Sequence, residues 1–87
     1  MACYIVYAKD KIDFIKIQLT AFSLGFSWLN RETEIDTKFR NYIYLYTTEN
    51  SKSMTKGNTK KDYGGMTNEP VTYLLIEDFL KSNPNDF

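Results

Sequence analysis

The chain has 87 residues and a mass of 10.2 kDa, enough for one small domain spanning 1–87. Eleven Lys and Arg balance eleven Asp and Glu, so the net charge is zero. A supercharged nucleic-acid binder, a polybasic membrane protein and an acidic DNA mimic are therefore excluded as descriptions of the whole chain. One cysteine leaves no internal disulfide, and the lack of histidine removes a His-based zinc site and a catalytic histidine.

The zero is a sum over unlike segments. Residues 50–68 carry four lysines (52, 56, 60 and 61) against Asp62, a net of +3. Residues 69–87 carry Lys81 against Glu69, Glu77, Asp78 and Asp86, a net of −3. Aromatic residues are 16% of the chain, a large burial capacity for so short a sequence, and on that ground a homodimer is expected. The first residues show no basic stretch leading into a long apolar run, so no signal peptide is expected. The expected location is the cytoplasm, and a lone Cys agrees with a reducing compartment.

Residues 2–8 are β-branched, aromatic and uncharged, which predicts a buried strand. Asp10 is a candidate helix N-cap, since a short carboxylate accepts the free amide hydrogens of a first turn. Apolar residues then recur at Ile12, Ile15, Leu19, Phe22 and Phe26, widened by Phe14, Ile17, Ala21 and Leu24, while Lys11, Asp13, Lys16, Gln18 and Thr20 are polar. This predicts one long amphipathic helix, stopped at Gly25. Phe26–Leu29 predicts a short strand, and the charged stretch 30–40 a loop anchored by Ile35 and Phe39. Residues 41–48 alternate with period two, placing Tyr42, Tyr44 and Tyr46 on one strand face and Ile43, Leu45 and Thr47 on the other. Residues 49–69 are polar, with either a strand at Lys52–Lys56 and a turn at Gly57-Asn58, or a functional loop. Val71–Leu75 predicts a last strand and 76–82 a short helix closed by Pro84. The order gives an α+β fold: an antiparallel or mixed sheet of four or five strands, one long helix on one face and a short C-terminal helix.

Glu32, Glu34 and Asp36 share one face of an extended segment, continued by Lys38. That pattern suits Mg²⁺ and echoes the carboxylate–lysine pair of metal-dependent nucleases, but it equally describes a charged edge that discourages aggregation. Cys3 falls in a buried strand with no base to activate it. The tyrosines at 42, 44 and 46 have three readings: core, a dimer or partner surface, or a base-stacking platform. The Lys/Arg-Gly-Phe/Tyr signature of sheet-type RNA binders is absent. Arg31, Lys38, Arg40, Lys52, Lys56, Lys60 and Lys61 are the candidate RNA or phosphate contacts, provided the fold gathers them into one patch.

The layout resembles small proteins encoded by large tailed bacteriophages. The shared features are the strand Tyr4-Ile-Val-Tyr7, a helix running into Leu24-Gly-Phe-Ser-Trp28, the Tyr/Ile-rich strand 42–46 and the closing Ile76-Glu-Asp-Phe-Leu80. The Asn-, Lys- and Tyr-rich composition also looks like the product of an AT-rich phage genome. Many such proteins bind and disable a host enzyme or defence system, and those nearest in size and character are factors that inhibit an RNase toxin with the help of RNA. The resemblance implies a non-catalytic inhibitor in the host cytoplasm, with a host protein and RNA as partners and no cofactor or metal. A second expectation is a small-nucleotide sponge, with Trp28, tyrosines and lysines lining a dimer cleft. A third is a metal nuclease built on Glu32, Glu34, Asp36 and Lys38.

Overall fold

The computed structural model describes residues 2–59 and 71–87. Strand β1 (Ala2–Tyr7) leads into helix α1 (Lys11–Ser23), then β2 (Ser27–Trp28), β3 (Tyr42–Thr47), β4 (Lys52–Gly57), β5 (Val71–Leu74) and a single-turn helix α2 (Ile76–Phe79). A 3₁₀ turn at Pro84–Asp86 follows. The five strands form one mixed sheet in the order β2-β4-β3-β1-β5. β1 and β4 flank β3 antiparallel, whereas β5 runs parallel to β1 and β2 parallel to β4. The fold is the α+β class expected, and the strand expected at 52–56 is present.

The ends of α1 are set by the residues that the sequence marks. The Asp10 carboxylate accepts from the Asp13 N–H at 2.9 Å. At the other end Gly25 has φ +98°, the left-handed conformation that glycine adopts without penalty. The Phe26 N–H bonds Ala21 O at 2.9 Å and the Gly25 N–H bonds Phe22 O at 3.1 Å, the paired bonds of a Schellman stop.

The buried face of α1 differs from the expected stripe. Phe14, Ile17, Gln18 and Ala21 face the sheet, while Ile12 and Leu19 are 65% and 56% exposed. The helix is apolar on two sides, and spacing alone does not say which one the sheet covers. Gln18, expected on the polar side, is fully buried because the backbone of Asp36 satisfies its amide. Its Nε2–H donates to Asp36 O at 2.9 Å, and its Oε1 accepts from the Asp36 N–H at 2.6 Å.

Two apolar clusters lie on opposite faces of the sheet. Val6, Ile43, Leu45 and Met54 pack with Phe14, Ile17, Ala21, Phe26 and Phe79 on the helix side. Cys3, Ile5, Tyr44 and Tyr46 form the second cluster. Phe87 closes the helix side, with its ring 5.0 Å from Tyr4, 5.6 Å from Phe26 and 6.0 Å from Phe79. An Asn83–Asp86 capping box shapes the turn that delivers it.

Candidate protein-contact surface

Period two places Cys3, Ile5 and Tyr7 of β1 on the same face as Tyr42, Tyr44 and Tyr46 of β3 and Tyr73 of β5. These side chains have different fates. Tyr44 is fully buried and its hydroxyl donates to Thr59 O; Tyr46 is 3% exposed, with its hydroxyl 3.4 Å from Thr55 Oγ1. Both lie inside a single chain. Only Tyr42 of the expected partner surface reaches solvent, half-buried, with its ring 5.2 Å from that of Tyr7.

Tyr42 belongs to a different exposed group. Tyr7, Tyr73 and Leu75 are 49%, 57% and 63% exposed. Together with Tyr42 and the edges of Ile5 and Leu74 they line a cleft of about 190 Å³. Spacing marked Tyr42; it did not mark the others, because Tyr7, Tyr73 and Leu75 come together only through the pairing of β1 with β3 and β5.

Leu75 stands out within this group. It is the N-cap of α2, with φ −72° and ψ 140°, and it offers no side-chain cap to the helix. Ser, Thr, Asp or Asn is the residue type that stabilises such a position, by about 0.5–2 kcal/mol over an apolar one. A large, exposed apolar residue there costs stability and solubility together.

Five of the seven expected phosphate contacts lie among the described residues, and two of these five, Lys52 and Lys56, are held by internal partners. Lys52 and Lys56 both point to the helix face, on either side of Met54. The Lys52 Nζ donates to Leu24 O at 3.0 Å and lies 5.9 Å from the Phe26 ring centre. It supplies the cation that the last turn of α1 lacks. The Lys56 Nζ is 2.5 Å from Asp36 Oδ2 and donates to Lys38 O at 3.0 Å. Arg31, Lys38 and Arg40 are exposed on the 30–40 loop. Lys60 and Lys61 lie outside the described residues.

The other expectations separate in the same way. Burial opposes the charge on Asp36, but the hydrogen bond from Lys56, the Lys38 N–H and the charges of both lysines outweigh it and hold the carboxyl below its ordinary value. Asp36 is thus committed to Lys56, and among the described residues no three acidic or thiol side chains are grouped as a metal ion would require. Trp28 packs on the helix-side cluster while Tyr42, Tyr44 and Tyr46 lie on the opposite face, so within one chain Trp28 and these three tyrosines do not share a cleft. Cys3 is fully buried, and burial pushes its thiol pKa up, the reverse of what activates a nucleophile. No helix among the described residues is long and apolar enough to cross a membrane. In comparisons with known proteins, no family model, curated protein or solved structure matches the chain.

Proposed function

We propose that this chain is a non-catalytic binding protein that acts by occupying a surface of a partner protein, with Tyr7, Tyr42, Tyr73 and Leu75 as its contact surface. The bacteriophage-like layout makes a host defence enzyme, such as an RNase toxin, the partner class. The observation that carries the reading is Leu75, an apolar residue 63% exposed at a helix N-cap and flanked by exposed tyrosines. Local rules are broken where function opposes stability, and exposed aromatics around an apolar cleft match the composition of binding hot spots. Arg31, Lys38 and Arg40 give RNA a subsidiary role, because Lys52 and Lys56 hold internal partners.

The test is affinity capture from a bacterial lysate, with and without RNase, using the wild type and a Tyr7→Ser/Leu75→Ser variant. The expected result is a partner retained after RNase treatment and lost on the double variant, with the variant still cooperatively folded. Leu75→Ser alone adds a cap and is expected to raise stability by about 0.5–1 kcal/mol. A partner captured equally by the double variant, or released by RNase, overturns the reading.

A further inference from the structure

At the edge of the sheet opposite β5, strand β2 stops at Trp28. There the chain turns, with the Arg31 N–H bonded to Trp28 O at 2.7 Å and the Trp28 N–H to Glu32 O at 2.9 Å. Its partner β4 runs on to Gly57, and among the described residues Thr55–Gly57 have no strand partner on that side. The returning loop does not fill the gap. Gln18 clamps the Asp36 backbone to α1, and the indole N–H of Trp28 bonds Glu34 O at 3.0 Å. Between this loop and Met54–Lys56 lies a cavity of about 520 Å³.

Its walls have a definite chemistry. Trp28, Leu29 and Ile35 give apolar surface, and Leu29 is 50% exposed. Glu32 and Glu34 also line it, both are exposed, and neither enters an ion pair among the described residues. Lys56, the cation of the lining, is neutralised by Asp36 at 2.5 Å. The cavity is therefore half apolar and net negative, beside a stretch of strand edge that has no strand partner among the described residues.

We propose that this slot receives an extended, basic segment of a partner protein as an added strand against β4. An open strand edge supplies main-chain donors and acceptors, and alternate side chains of the guest supply specificity. Here one set of guest side chains meets Leu29 and Ile35, while a Lys or Arg sits between Glu32 and Glu34. The cavity falls within the range of about 300–1,000 Å³ common to ligand sites. The slot lies at the far edge of the sheet from the tyrosine cleft, so the inference stands independently of the proposed contact surface.

The test uses two synthetic peptides, acetyl-Thr-Lys-Val-Arg-Val-Lys-Thr-amide and its counterpart with Glu at the three basic positions. Trp28, the single tryptophan of the chain, reports from the wall of the slot. The basic peptide is expected to change Trp28 emission saturably and to shift the backbone amides of Thr55, Lys56 and Gly57, while the acidic peptide does neither. Glu32→Gln/Glu34→Gln, two changes at exposed side chains, is expected to weaken binding about tenfold. The Tyr7→Ser/Leu75→Ser variant is expected to bind the peptide as the wild type does. Equal binding of the acidic peptide, shifts confined to other parts of the chain, or no saturable response overturns the proposal.

Discussion

Gln18 occupies the middle of the buried face of α1 because both ends of its amide are used by the backbone of Asp36. A polar side chain is stable there only with its partners in place. Asp36 in turn ties the 30–40 loop to β4 through Lys56. Its pKa is lowered on folding, so its contribution is present above the unfolded value near pH 4 and is lost as pH falls through the folded value. Asp36→Asn is expected to cost about 0.5–1.5 kcal/mol at pH 7, with the gap from the wild type closing as pH falls below about 4. Urea unfolding across that range measures it, and a gap independent of pH contradicts the assignment. Little of this was legible in the sequence. Gln18 counts as a polar-face residue by spacing, and its partner is on a loop whose path no local pattern dictates.

Elements were more legible than contacts. Asp10, Gly25 and the apolar run between them bound α1, and alternation located β3. β2 is shorter than its apolar run suggests, because the chain turns back on itself immediately after Trp28. That shortness opens the slot beside β4. The segment after α2 carried only Pro84 as a visible stop, yet the Asn83–Asp86 box sets Phe87 among three rings. Phe87→Ala is expected to lower stability by about 1–3 kcal/mol, less than the loss of a fully buried ring. A shift in unfolding midpoint too small to resolve contradicts that packing role.

For the whole molecule, the charge-neutral sum conceals a division of labour. The basic segment looked like a phosphate-binding patch, but Lys52 and Lys56 clip β4 to the end of α1 and to the 30–40 loop. Period two assigned the tyrosines correctly to one face; it could not say that Tyr44 and Tyr46 would be interior and Tyr42 at the rim, because that depends on what lies across the sheet. The exposed surface was invisible locally, since Tyr7, Tyr73 and Leu75 are neighbours only in the assembled sheet. The central claim is that this surface meets a protein partner. Tyrosine-directed chemical footprinting of the captured complex tests it most directly. The account predicts that Tyr7, Tyr42 and Tyr73 become protected on binding while Tyr44 is unreactive throughout. Protection absent from Tyr7 and Tyr73, with the partner's footprint confined to α1 or the 30–40 loop, would contradict it.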